Sequence, residues 1–292
     1  MLEPMADAPI RPAVTHAAGL RDYDFVGFVP FDDLPRFEDP VPRTEGVYAV
    51  VRPGEPVFLE QSPAGHFKGN DPTVTVDALA AKWVPDVEVV YVGKATARTA
   101  GRGLRKRLDE YRRYGAGMPV AHQGGRYVWQ LAGHEQLSVA WLETPNVDAG
   151  VVEAQLIADF EATTGRIPFA NLNHGRATLE VTTDVKPHSV DVKVSGSLVS
   201  RANYTFEADV PRIELGQVDT HLKVFRRRGH AMTALRRLVE AHPGVPVVDS
   251  PLAMNSDDGN ALVARARSEG LPIHANACFA GGRGCRCPLA GA

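Results

Sequence analysis

The sequence predicts a two-domain α/β protein: a small sheet flanked by helices, then a second α/β domain. Three observations carry that expectation. The chain has 292 residues, enough for about two domains. Short apolar runs of strand type alternate with helical patterns in both halves. A polar segment at 174–190 separates them. The expected organisation is an acidic N-terminal arm over 1–40, a first domain over 41–175 and a second over 190–292.

In the first half, Gly46–Val51 (GVYAVV) and Val87–Val92 (VEVVYV) read as strands. Between them, 52–82 is rich in Pro and Gly and reads as a long loop or insertion. Leu104, Leu108 and Tyr111 mark a helix over 103–114, stopped by Gly115. Tyr127–Leu131 and Leu137–Leu142 are two further strand candidates. Asp148 is placed to cap a helix carrying Val152, Leu156, Ile157 and Phe160 and ending near Gly165.

In the second half, Val190–Val194 and Tyr204–Val210 read as strands. Val218, Thr220, Leu222 and Val224 alternate along a third. A basic turn leads into a helix from about Gly229 to Ala241, then a strand Val245–Val248 and a helix over 259–269. No internal repeat is present.

Composition excludes several classes. Hydrophobic residues make up 44% and charged residues 23%, which excludes disordered, collagen-like and coiled-coil chains. No apolar run approaches the roughly 20 residues that span a bilayer, and the N-terminus lacks the charge-then-apolar pattern of a signal peptide. Three cysteines near the C-terminus make no disulfide framework. A cytoplasmic protein without membrane contact is expected.

Net charge is −3 but unevenly spread. Residues 1–40 hold eight acids against three arginines, and the first twenty, rich in Pro and Ala, read as a loose arm. Lys94, Arg98, Arg102, Arg105, Lys106, Arg107, Arg112 and Arg113 face only Asp109 and Glu110. Residues 221–239 carry six basic residues and no acid. Such runs are either solvated faces or phosphate-binding surfaces.

Two positions carry chemistry on residue type alone. Glu153 lies on the apolar stripe of its helix, with Leu156, Ile157 and Phe160 beyond it. A carboxylate there either reaches water at the edge or binds a cation. Arg107 and Tyr111, four apart, share a helix face; the Arg is either an ordinary exposed helix residue or a phosphate ligand, which its planar guanidinium suits.

GVY at 46–48 and YVG at 91–93 resemble the two halves of the GIY-YIG nuclease signature. YVGKA at 91–95 followed by LRKRLDEY at 104–111 is similar to the incision nuclease domain of bacterial nucleotide-excision repair. Glu153 with Ala-Gln-Leu-Ile resembles the family's acidic helix, and Pro168-Phe-Ala-Asn171 its closing motif. The resemblance spans about 46–173. It implies a DNA endonuclease using Mg²⁺ or Mn²⁺ held by Glu153. Tyr48 is then the general base or water-positioning phenol, with Tyr91 beside it. Arg107 stabilises the attacked phosphate. Lys94 and Tyr111 match further active-site positions. Asn171 fixes the architecture, with Asn173 as the alternative. For Tyr48 to act as a base its pKa must fall, and Lys94 or the metal is the expected cause. The chain departs from the family in the 42 residues between Tyr48 and Tyr91 and in the extra segment Thr96–Gly103.

In the second half, Arg226-Arg227-Arg228-Gly229-His230-Ala231 sits at a helix start, where backbone N–H groups make an anion site. Residues 215–272 resemble the GNAT acyltransferase fold, with Arg226, Gly229 and Ala231 on its pyrophosphate loop and Asn255 and Asn260 following. That resemblance implies acetyl-CoA. Ala266 and Leu271 stand where that family has Tyr and Phe. The module is therefore read as a DNA-positioning or an acyl-CoA-binding unit. Further readings are an acyltransferase with a nuclease-like binding domain, and a non-catalytic DNA-binding protein. His274, Cys278, Cys285 and Cys287 are either zinc ligands or a His and free thiols on a Gly-rich tail.

Overall fold

A computed structural model describes residues 13–36, 41–96, 103–120, 122, 124–134, 137–175, 177–207, 212–249 and 257–275. The protein is of mixed α/β class, and it divides into two units between Leu179 and Glu180.

The first unit is built on a four-stranded antiparallel sheet in the order β1-β4-β2-β3: β1 Val26–Pro30, β2 Gly46–Val51, β3 Val89–Ala95 and β4 Ser138–Glu143. Every residue of β2 is buried, which explains why GVYAVV shows no polar alternation. The helices are α1 (Ala17–Asp22), α2 (Val76–Ala80), α3 (Leu104–Gly115) and α4 (Ala149–Thr164). The expected helix signals operate in α4. The Asp148 carboxylate accepts the Gly150 and Val151 N–H groups at 2.7 and 3.2 Å, and Gly165 ends the helix at φ 74°.

Three expectations are corrected. The described part of the 1–40 arm, residues 13–36, is built into the unit. It supplies α1 and the edge strand β1, and Phe31 is buried against Tyr111 and Trp129 with ring centroids 5.4 and 5.0 Å away. Tyr127–Leu131 is not a strand: Arg126–Gln130 forms a 3₁₀ turn, and only Leu131 makes a bridge, to Phe58. Gly125 enters that turn at φ 70°. The 52–82 insertion contains α2 and is fastened down. The Gln130 side chain accepts from Val74 N at 2.8 Å and donates to Leu59 O and Val74 O at 2.9 and 2.7 Å. Phe58 and Trp83 pack on Phe169 at 5.9 and 5.3 Å.

The second unit holds a six-stranded sheet in the order β10-β9-β8-β7-β6-β5. Strands β5 (Val181–Lys186), β6 (Ser189–Val194), β7 (Ser197–Glu207) and β8 (Arg212–Thr220) form an antiparallel meander. Ser195 and Gly196, at φ 47° and 82°, make the β6–β7 turn, the left-handed pair that a two-residue hairpin requires. Helix α5 (His230–Ala241) then leads to β9 (Val247–Asp249), and α6 (Asp257–Ser268) to β10 (Ile273–Ala275). Both strands run parallel to their neighbours, β8 and β9, as helical crossovers allow. The unit begins earlier than residue 190, because β5 pairs along β6. The third strand also lies earlier than the 218–224 alternation implies. It ends at Thr220, and Leu222 at φ 57° breaks the extended path.

Among the described residues no helix is long and apolar enough to cross a membrane.

Candidate active site

The site forms where β3, an edge of the first sheet, meets α3 and α4. Strand register sets Tyr48 opposite Gly93. A Cβ on Gly93 would fall 2.6 Å from Tyr48 Cζ and 2.9 Å from Tyr91 Cε1, so this glycine leaves room for the two phenols. Tyr48, Tyr91 and Tyr111 pack as a triangle, with centroids 5.9, 6.1 and 5.8 Å apart. Tyr111 donates its hydroxyl to Gly125 O at 2.7 Å. Arg107, one turn before Tyr111 on α3, faces Tyr48 and Tyr91 closely enough to act on both phenols electrostatically.

The charges set the protonation of the cluster. Burial pushes the Tyr48 phenol above its ordinary value, opposed chiefly by the Arg107 guanidinium. Burial raises Tyr91 and Tyr111 further. Of the two expected causes of a lowered Tyr48, Lys94 or the metal, the first is corrected: the protein cation that opposes burial is Arg107, and burial outweighs it. The buried Tyr48 hydroxyl makes no hydrogen bond of full geometry among the described residues, with Arg107 and Tyr91 its nearest polar neighbours.

Lys94 instead engages Glu153. Its Nζ lies 2.7 Å from Glu153 Oε2, with the Glu153 side chain 12% exposed. A Cβ at Gly150 would fall 3.1 Å from Lys94 Nζ, so the glycine at the start of α4 leaves space beside the ammonium group. Glu153 is thus on the core-facing stripe, with a cation, and its charge is also felt by Tyr48 and Tyr91. Among the described residues no three His, Cys, Asp or Glu side chains gather as a metal cage. A single carboxylate whose Oε2 is held by Lys94 is compatible in its donor chemistry with Mg²⁺ or Mn²⁺, which take one or two carboxylates and complete the shell with water and phosphate oxygens.

Asn171 clamps the edge. Its side chain accepts from Val92 N at 2.9 Å and donates to Val92 O at 2.8 Å, satisfying backbone groups on an edge strand. The alternative, Asn173, accepts only from Gly175 N within its own turn.

Several site residues carry no sequence signal. His122 is fully buried and lies flat on Tyr111, 4.1 Å between centroids and 6° between planes. A Cβ on Gly124 would fall 2.7 Å from the Tyr91 hydroxyl, and one on Gly125 would collide with that of Tyr111. In the sequence this segment shows only a Gly pair and a lone His, with no periodicity to mark them.

In the second unit, Arg226 is exposed at the end of the Lys223–Phe225 turn, Gly229 sits at φ 82° before α5, and Ala231 lies in the first helical turn. Arg228 Nε donates to Val224 O at 2.6 Å. His230 Nε2 is buried without a partner, and burial and Arg228 push that imidazole below its ordinary pKa. Asn260 lies on α6 and His274 on β10. Asn255, Cys278, Cys285 and Cys287, like Arg98 and Arg102, lie outside the described residues.

The chain matches no protein-family model, and no curated protein or solved structure matches it.

Proposed function

We propose that the first unit is a metal-dependent DNA endonuclease of GIY-YIG type that acts in the cytoplasm. The observation that carries the reading is the meeting of Tyr48, Tyr91, Arg107 and Tyr111 with the Lys94–Glu153 pair at one sheet edge. Phosphodiester hydrolysis needs a placed water, charge neutralised on the non-bridging oxygens and a stabilised leaving alkoxide. Arg107 supplies a bidentate donor for the phosphate. Tyr48 enters the reaction protonated, so its phenol oxygen positions the attacking water by accepting a hydrogen bond; it could take the water's proton only as the phenolate, after its own proton has passed to solvent under further positive charge. Glu153 would hold Mg²⁺ or Mn²⁺, which supplies Lewis-acid stabilisation of the phosphate oxygens. Tyr91 and Tyr111 hold the phenol and guanidinium in place, and Asn171 holds β3.

Incubating supercoiled plasmid with the protein and Mg²⁺ or Mn²⁺ tests this. Glu153→Ala should abolish nicking, and Arg107→Ala should slow it roughly 10²–10³-fold. Intact plasmid with folded protein, across metals and DNA sequences, sinks the reading.

For the second unit, the first turn of α5 offers backbone N–H groups behind Gly229, beside the basic run 226–228. We infer a phosphate-docking module that positions DNA. The same turn favours a second reading, an acyl-CoA pyrophosphate site. Calorimetry separates them: acetyl-CoA binding lost in Gly229→Glu supports the second, and no heat with acetyl-CoA removes it.

A further inference from the structure

His122 is the most conspicuous buried group that the proposed chemistry leaves unused. It is 0% exposed, and among the described residues neither Nδ1 nor Nε2 meets a partner at full hydrogen-bond geometry, the backbone of Gly124 being the one polar group that reaches the ring. A ring there for packing alone has no use for nitrogens. A phenyl group would cover Tyr111 equally well without burying two poorly satisfied nitrogens, which cost stability. Natural proteins keep such costs at functional sites.

Its surroundings indicate what the nitrogens serve. The imidazole covers the face of Tyr111. The segment that follows runs along the site, since a Cβ on Gly124 would fall 3.8 Å from Arg107 Nη2. Burial and the Arg107 charge hold the imidazole well below its ordinary pKa, against a weaker pull from the Gly124 backbone, so it is neutral: one nitrogen carries the proton and the other offers a lone pair. A guanidinium carries five donors and no acceptor. Two acceptors stand near Arg107: the Tyr48 hydroxyl, within hydrogen-bonding reach of the guanidinium, and the lone pair of His122, whose ring feels the Arg107 charge.

We propose that His122 is a positioning residue for Arg107: its lone-pair nitrogen accepts a guanidinium N–H, directly or through one water, when Arg107 turns onto a phosphate. This rests on the nuclease reading above and adds a residue to it. Tyr48 and His122 then hold two N–H groups of Arg107 while the remaining fork faces the phosphate. Arg107 is thereby oriented before the charge develops, as electrostatic stabilisation requires.

The test compares His122→Phe, which keeps the flat stack and removes the nitrogens, with His122→Gln, which restores an acceptor. The Phe variant should melt at or above the wild-type temperature. Its KM for plasmid should change less than about twofold while kcat falls ~10-fold or more, the range for residues that orient a catalytic group. Gln should recover part of kcat, and the Phe effect should vanish in an Arg107→Ala background. Wild-type kcat in a folded Phe variant overturns the proposal. A second arm needs neither cleavage nor the variant. In protein carrying ¹⁵N-labelled histidine, the His122 ring nitrogens should shift on addition of inorganic phosphate, and this response should be lost in Arg107→Ala. Absence of any shift overturns the proposal. If the wild type cuts no DNA, the nuclease reading fails, and this arm alone decides the role of His122. It decides equally if the Phe variant does not fold.

Discussion

Lys94 Nζ and Glu153 Oε2 meet at 2.7 Å, across the junction of β3 and α4. The ammonium group therefore stands against the carboxylate proposed to hold the metal. Removing a cation next to an anionic ligand strengthens its hold on another cation. Lys94→Met should bind Mn²⁺ about tenfold more tightly in the absence of DNA, one pK unit of interaction, yet cleave more slowly. Electron paramagnetic resonance of Mn²⁺ titrations reads the affinity; weaker binding in Lys94→Met contradicts the competition.

Gly93 faces Tyr48 across the β2–β3 ladder with no room for a methyl group. Gly93→Ala should cost about 1–3 kcal/mol by overpacking and should also slow cleavage by displacing the phenol. Chemical denaturation and plasmid nicking check the two effects. A stable, fully active Gly93→Ala would mean that Tyr48 does not need its observed place.

Asn171 makes both of its bonds to the backbone of Val92. Asn171→Leu leaves a buried N–H and C=O unpaired and should cost about 2–4 kcal/mol. Asn173→Leu, which touches only a turn, should cost under about 0.5 kcal/mol. Equal melting temperatures for the two variants would refute the edge clamp.

In the second unit Asp191 is buried between Arg201, at 2.5 and 2.9 Å, and Lys186, at 2.5 Å. Hydrogen bonds from Arg201 lead in drawing its pKa from 3.8 to about 2. The folded value is the lower one, so this stabilisation is fully present above about pH 4 and is lost as pH falls toward 2. It amounts to roughly 2 kcal/mol. Unfolding midpoints of wild type and Asp191→Asn measured between pH 2 and 6 should converge at the acid end. Parallel curves would remove Asp191 as the source.

The elements legible in the sequence are those whose signals are local. GVYAVV is apolar throughout because β2 is central in its sheet. The Asp148 cap and the Gly165 stop bound α4 where expected. Glu153, Arg107 and Tyr111 stand out by residue type and spacing, whereas Tyr48, Tyr91, Lys94 and Asn171 come only from the motif resemblance; the structure brings Lys94 to Glu153, Tyr111 to Tyr48 and Tyr91, and Asn171 to Val92. What was not legible depends on distant partners. Val26–Pro30 contains Gly and Pro and forms a strand only because β4 offers an edge. Tyr127–Leu131 has strand-type residues, but Gly125 turns the chain and the rings are consumed by a three-dimensional aromatic cluster. The strand placed at 218–224 followed an alternation that outlasts the ladder. His122 is one imidazole in a polar stretch, and only the fold reveals that it lies on Tyr111.

That β1 comes from residues ahead of the GVY run has a practical side. A fragment cut at the start of that run would lack the fourth strand, exposing the long edge of β4, and would lose Phe31 from behind Tyr111. Open edges of this kind recruit other chains. The smallest piece of this protein that keeps the first sheet and its core whole therefore starts upstream of Val14, which is already buried. Anyone trimming it to the motif-bearing stretch should expect inclusion bodies, whatever the fate of the second unit.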